Sequence, residues 1–387
     1  MTGKLSVKKE VLIIGGGYGG LRAAEKLCEE KNIHVTLVDK NHYHYLQTEM
    51  YEFVSGRLNI CDITYNLKRF GDKFSNFTFV CDEALELDVV NKKLLTRNDS
   101  FVFDSLIIAV GTQDFIPQQL QKYAYVVKDL TSAFALKRSF LQKLYEEVTT
   151  ASAPVNVVIG GAGQSGVELA ADFVSYAQEC SHEAGYSCGV NVTLIEGGDT
   201  ILPGSDPYIQ KHTYKRLKEL GTTMILNTFI ESVDEKMVQM KDKQIPYDIF
   251  VFSGGTQSVP FIDNLEFKKN KENLLVPNEY LELSKDIYCI GDCAYIVDKN
   301  GDRLSPTAQI AEQSAEYVAQ SILKGKQKSF EGKIYGMFTA LGSHYAVGHI
   351  FHKVYLKGVV AYFIKAAITK LYAYGIKTKV NSAFFKR

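Results

Sequence analysis

The sequence predicts an α/β fold with two parallel-sheet units followed by an amphipathic C-terminal region. Three observations predict it: two glycine-rich turns that each close an apolar run, an acidic residue ending the strand after each following helix, and a C-terminal stretch that is apolar along one helical face and carries only positive charge. The 387 residues suit two or three domains of ordinary size, and 46% apolar residues are enough to fill their cores. Forty-four basic residues balance 44 acidic ones, so no global field draws nucleic acid to the chain.

The first unit begins with the apolar run Val11-Leu12-Ile13-Ile14, turns through Gly15-Gly16-Gly17-Tyr18-Gly19-Gly20 and continues into a helical pattern at Leu21, Ala24 and Leu27. Gly15, Gly17 and Gly20 occupy the Gly-x-Gly-x-x-Gly positions. They serve a tight strand-to-helix turn, close approach of backbone to a pyrophosphate, and packing of helix on strand, with the helix N-terminus facing the phosphate charge. The next strand ends at Asp39, 24 residues after Gly15, near the spacing at which a carboxylate accepts hydrogen bonds from ribose hydroxyls. This is a Rossmann-like dinucleotide-binding pattern.

The second unit repeats it. Val155 to Ile159 leads into Gly161-Ala162-Gly163-Gln164-Ser165-Gly166 and a helix through Val167, Leu169, Ala170 and Phe173, and the following strand ends at Glu196. The 35-residue gap from Gly161 to Glu196 is long, and residues 178–189 read as an insertion at the far end of the helix. Gly197 and Gly198 follow Glu196 with no Arg or Lys beside them to receive a 2′-phosphate, which favours NADH over NADPH. One glycine motif is a weak signal; two complete units in one chain point to two dinucleotides held at once.

Between and after these units, residues 103–112 form a buried strand ending in the Gly111 turn, and residues 247–255 repeat the idea; both read as strands where the chain passes between nucleotide domains. Residues 286–294 give a further strand ending in Gly291-Asp292. Ser305 as N-cap and Pro306 as first helical residue predict a helix start there, with Gln309 and Gln313 one turn apart on one face. Glu168 lies near the start of the second glycine-loop helix, where the dipole favours an acid, so it reads either as a catalytic group or as a simple capping carboxylate. The seven cysteines are odd in number and lack redox spacing, and Cys28 and Cys289 read as core residues. His344, His349 and His352 have no convincing metal spacing.

The C-terminal region is polar in charge. Residues 332–387 contain no Asp or Glu against nine cations, Lys333, Lys353, Lys357, Lys365, Lys370, Lys377, Lys379, Lys386 and Arg387, which points to an anionic membrane surface as partner. Leu356, Val360, Phe363, Ala367, Leu371 and Tyr374 share one helical face with Lys365 nearly opposite, while Lys370 falls within the apolar arc. The longest uninterrupted apolar run, residues 359–364, is far short of the roughly 20 residues of a membrane span, so an interfacial helix is expected. With no signal peptide ahead of the first strand, the expected location is peripheral, on the cytoplasmic face of the cell membrane.

The Gly291-Asp292 turn resembles the Gly-Asp motif with which the glutathione reductase superfamily binds the ribityl chain of FAD. More specifically, the chain resembles the type II NADH dehydrogenases, single-subunit NADH:quinone oxidoreductases. The resemblance rests on Ala308-Gln309-Ile310-Ala311-Glu312-Gln313, on Asn41-His42-Tyr43-His44-Tyr45-Leu46-Gln47 with Met50-Tyr51, on Gly166-Val167-Glu168-Leu169-Ala170, and on Ala340-Leu341-Gly342-Ser343 through Ala346-Val347. Together these cover nearly the whole chain in family order. Thr48 departs from the proline common after the Gln, and the stretch from Cys180 to Cys188 is unlike the family.

The resemblance implies FAD as cofactor, NADH as substrate and a membrane quinone as acceptor, without proton pumping. It places FAD on Gly15, Gly17, Gly20, Asp39, Gly111, Asp292 and Ala308, and NADH on Gly161, Gly163, Gly166 and Glu196. It gives Gln309 and Gln313 to the quinone and Glu168 to proton delivery or NADH positioning. The implied organisation is residues 1–115 and 276–330 for the two parts of the FAD domain, 116–275 for the NADH domain and 331–387 for membrane association; a homodimer is left open. A sulfide:quinone oxidoreductase shares such a fold, but its chemistry needs a cysteine in the C-terminal part, and none follows Cys293. An NADH-binding flavoprotein acting as sensor or scaffold is the other alternative.

Overall fold

The computed structural model describes residues 8–150, 153–185, 189–325 and 328–378; Cys188, Lys379, Lys386 and Arg387 lie outside the described residues, as does the side chain of Lys377. The described residues form two compact units. The first gathers residues up to Tyr45 with Thr64–Gln113 and Gln257–Ile334; the second gathers Leu46–Ile63, Asp114–Thr256 and residues from Tyr335.

The first unit is built on a six-stranded sheet in the order Glu282–Ser284, Ile287–Cys289, Ser105–Ile108, Lys9–Ile14, Ile33–Asp39, Phe77–Cys81. All neighbours are parallel except the edge pair Glu282–Ser284 with Ile287–Cys289. Strands buried on both faces read as continuous runs of branched apolar residues, and Ile13, Val35, Leu37 and Ile107 accordingly have no exposed surface. Lys9–Ile14 lies between Ile33–Asp39 and Ser105–Ile108, so the glycine loop leaves the sheet where the strand order reverses. In open α/β sheets that is the ligand crevice.

The second unit repeats the plan with four parallel strands in the order Thr223–Ile225, Val190–Ile195, Val155–Gly160, Ile249–Phe252. Its loop opens the helix Gln164–Ala184, which ends on Gly185 in the left-handed conformation. The stretch read as an insertion is therefore in large part extra length of this helix. A three-stranded antiparallel sheet, Gly336–Ala340, Ala346–Ile350 and Val354–Gly358, precedes the last helix, Val359–Thr378.

Two expectations about the C-terminal region are corrected. Leu356 belongs to the strand Val354–Gly358 and not to the helix face. The helix is also longer and more apolar than the interrupted run implied: Val359–Ile376 is long and apolar enough, by length and composition, to cross a membrane, and only 17% of it is buried. The interruption at Lys365 is absorbed because that side chain turns inward within the second unit, where its ammonium meets Glu49 at 3.4 Å and donates to the Tyr51 hydroxyl. The outward face is the predicted one, since Val360, Phe363, Ala367, Leu371 and Tyr374 are all exposed. The helix is thus inverted relative to one packed for water, with Lys365 turned inside and its apolar face outside, while Lys370 stays exposed.

Candidate functional site

Gly15 has a φ of +103°, and a Cβ there would fall on the carbonyl of Ala109, so only glycine makes this turn. Gly20 lies so close under the Gly15 carbonyl that a side chain would separate helix from strand. Gly17 is different. Its φ is −77° and a Cβ there would meet no protein atom within 4 Å. Neither the backbone nor the packing asks for glycine at this position, so the open space itself is the feature, beside the N-terminus of the helix Tyr18–Leu27. Asp39 closes the loop from the neighbouring strand, its two oxygens accepting from Gly16 N at 2.6 Å and Asn41 N at 2.7 Å. Burial raises the Asp39 carboxyl above its ordinary value, opposed by those two N–H groups.

The second loop matches the first residue for residue. Gly161 has a φ of +102° with Gly254 against it, Gly166 lies under the Gly161 carbonyl, and Gly163, at φ −70°, again has nothing within 4 Å of a Cβ. Glu196 accepts from Ala162 N at 2.7 Å and Gly198 N at 2.9 Å. Each acid therefore braces the N–H that follows the first glycine while standing where ribose hydroxyls would arrive.

Glu168 is buried one turn into the helix, not capping its end. Its Oε1 accepts from Gln164 Nε2 at 3.0 Å and from Ala340 N at 2.9 Å. Burial pushes its carboxyl up to about 7 against the pull of the Lys365 ammonium. Nearby in the same unit, burial and neighbouring acids raise Glu52 to about 7, and burial raises Asp172 to about 6 although Arg57 pairs with it at 3.0 Å. This is a nest of carboxyls that exchange protons near neutrality, with one lysine among them.

In the first unit, Asp292 sits in the turn Gly291–Cys293 at the end of the strand Ile287–Cys289. It lines a small cavity together with Gly291, Pro306, Thr307 and Ile310, so the turn and the start of the next helix share one wall. The helix runs Ala308–Lys324 with Thr307 as its cap, the threonine side chain accepting from Ile310 N at 3.3 Å. This corrects the expected start at Ser305 and Pro306 by two residues: Thr307 competes successfully for the capping position, leaving the proline in the approach. Ala308 is the first helical residue. Gln309 and Gln313 follow one turn apart, and the Gln313 amide donates to Lys333 O at 2.7 Å and accepts from Lys333 N at 2.9 Å. Gly111, φ +65°, makes the turn after Ser105–Ile108.

Residues 9–315 match the family model of the pyridine nucleotide-disulphide oxidoreductases. The chain belongs to that family. A type II NADH:quinone oxidoreductase of Staphylococcus aureus (strain MSSA476) is 29% identical over 381 residues, covering 93% of this chain and 94% of the relative. Among solved structures, NDH2 from Plasmodium falciparum in complex with NADH superposes with a TM-score of 0.82 at 21% identity, over 94% of each chain. The sulfide:quinone oxidoreductase of Aquifex aeolicus superposes with a TM-score of 0.80 at 19% identity, over 98% of this chain and 96% of that one. Both structures share the fold.

Three residues of the site had no distinct signal in the sequence. His44 is buried against Tyr18, and its Nδ1 donates to Gly16 O at 3.1 Å, holding the glycine loop from below. Burial lowers its imidazole to about 4, so it braces the loop as a neutral ring. Lys365 is visible in the sequence only as the residue opposite an apolar face; that it would face Glu168 and Glu49 follows from which side of the helix packs inward. Thr307 competes with Ser305 on equal terms until the fold selects it. The buried Cys289 and Cys293 thiols are raised by burial, the latter to about 12, and are inert as nucleophiles.

Proposed function

We propose that this protein is a FAD-dependent, non-proton-pumping NADH:quinone oxidoreductase working at a membrane surface. The observation that carries the reading is the pair of vacant glycine positions, Gly17 and Gly163, each beside a helix N-terminus and an acid-braced loop. Space with no protein reason, repeated in two units, fits two pyrophosphates. FAD belongs in the first unit, on Gly15, Gly17, Gly20, Asp39, Gly111 and Asp292 with the helix start at Ala308; NADH belongs in the second, on Gly161, Gly163, Gly166 and Glu196. When bound, the flavin supplies the hydride acceptor and the two-electron donor to quinone.

The protein's own residues orient, shield and move protons. The helix start at Thr307 and Ala308, beside Asp292, offers positive partial charge and would favour the anionic reduced form of a flavin held there. Oxidation of NADH delivers one hydride, and reduction of the quinone to quinol takes two electrons and two protons, so one further proton must come from water. Glu168, titrating near neutrality, is the group suited to pass it on. Gln309 and Gln313, one turn apart, are the polar groups suited to the quinone, with Gln313 also holding the backbone at Lys333. The exposed apolar face of the last helix, with Lys353, Lys357 and Lys370 exposed beside or on it, supports a working position on the anionic, cytoplasmic face of the cell membrane, where quinone is dissolved.

Mixing the purified, flavin-loaded protein with NADH and a short-chain quinone tests this. Quinone-dependent loss of NADH is expected. Quinone reduction driven by sulfide alone, or flavin bleaching by NADH without turnover, would replace this reading by one of its two rivals.

A further inference from the structure

Phe229 is 76% exposed, and single exposed apolar side chains are ordinary on protein surfaces. What sets this one apart is what it rests on. Gly197 has no left-handed backbone to require a glycine, yet a Cβ there would lie 2.7 Å from the Phe229 Cζ and 2.9 Å from its Cδ1. The glycine is there for the ring. The segment bearing the ring is fastened to the acid loop by two backbone bonds, Asn227 N to Gly198 O at 2.8 Å and Thr228 N to Glu196 O at 3.0 Å. Asn227 makes the bend with a φ of +51°, a conformation asparagine tolerates.

Three adjacent parallel strands end on this rim: Val155–Gly160 in the glycine loop, Val190–Ile195 in Glu196, and Thr223–Ile225 in the segment leading to Phe229. The order across the sheet is loop, acid, ring. The order along half of a dinucleotide is pyrophosphate, ribose, adenine. The two run in step, which leaves the base over the Phe229 ring at the end of the row. In the first unit the corresponding strand, Phe77–Cys81, is followed by Asp82, whose N donates to Asp39 O at 3.0 Å as Thr228 N does to Glu196 O, so the next residue there, Glu83, stands where the second unit has the Phe229 ring.

We propose that Phe229, seated on Gly197, is the stacking platform for the adenine of NADH, an inference that rests on the second loop being the NADH site. Base-on-ring stacking is tolerant of which purine is presented and is lost with the ring.

The test uses the full-length, flavin-loaded protein and the anaerobic loss of flavin absorbance on mixing with reduced nucleotide. Phe229→Ala is expected to raise the apparent Kd for NADH about tenfold, equivalent to about 1.4 kcal/mol, with the rate at saturation within about twofold of wild type. Phe229→Tyr keeps the ring and is expected to stay within about twofold in Kd. Gly197→Ala displaces the ring and shifts Kd in the same direction as Phe229→Ala. Reduced nicotinamide mononucleotide, which lacks the adenosine half, is the decisive control: its Kd is expected not to change in any of these variants. A Phe229→Ala protein that binds NADH like wild type, or one that loses the mononucleotide equally, overturns the platform alone. A wild-type flavin that NADH does not reduce removes the NADH reading and this inference with it.

Discussion

Glu168 is a residue whose chemistry the fold changes. In an unfolded chain its carboxyl titrates near 4.5, and burial in the native state pushes that to about 7. The native state therefore holds a proton that the unfolded chain has released, so the stabilisation is complete below about pH 4.5 and is lost as pH rises through 7. Glu168→Gln removes this dependence: the melting temperature of the variant is expected to fall less than that of wild type between pH 5 and pH 8, as differential scanning would register. The same substitution is expected to abolish the limb near pH 7 in the rate of quinone reduction, while NADH still binds. An unchanged pH profile would take Glu168 out of proton transfer. Lys365 sets the other half of this chemistry. Lys365→Met leaves Glu49 and Glu168 facing each other without a cation, at a site where both ion-pair side chains are almost buried, and breaking such a pair costs about 3–5 kcal/mol. The remaining pH limb is expected to move above 7, because the ammonium that opposed burial is gone.

At the scale of elements, the turn and packing roles of the glycine loops were legible almost to the residue, since each is a local demand of backbone or neighbour. The helix starts and faces were less so. Period 3.6 marks an apolar face without saying whether core or lipid lies against it, and only the inward turn of Lys365 decides that Phe363, 61% exposed, and Leu371, 52% exposed, look outward. Gln313 holds the backbone at Lys333, a contact that no local pattern in the sequence announces. Gln309→Ala with Gln313→Ala is expected to slow quinone reduction by about an order of magnitude with flavin reduction by NADH nearly intact, and equal losses in both half-reactions would remove the glutamines from the quinone site. Phe363→Glu with Leu371→Glu is expected to release the protein from vesicles while its melting temperature shifts little, since both positions are exposed. This is a sharper test of the anchor than removing the residues after Lys353, which would also delete the strand Val354–Gly358 and the Lys365 ion pair.

For the whole molecule, two dinucleotide-type units could be read from the sequence, but not which segments each unit gathers. Leu46–Ile63 clusters with the second unit although it follows the first glycine loop in the chain, because residues such as Arg57 find Asp172 and Glu179 there, and no local pattern encodes a pairing more than a hundred positions away. Charge segregation is the molecular property the sequence stated most openly. Net charge is zero, yet residues 332–387 hold nine cations and no acid, so attraction to an anionic surface must be local and short-ranged. The fold then removes Lys365 from that set, since its ammonium is spent on Glu49, and leaves Lys353, Lys357 and Lys370 exposed beside or on the apolar helix. Each lysine near an anionic bilayer contributes about 1 kcal/mol, an effect confined within a Debye length of about 8 Å at physiological salt. Replacing these three with glutamine is therefore expected to weaken binding to vesicles containing phosphatidylserine by about a hundredfold, to leave binding to purely zwitterionic vesicles unchanged, and to abolish most of the salt dependence. If the triple variant binds both vesicle types as the parent does, the apolar face alone holds the protein to lipid and the segregated charge serves some other partner.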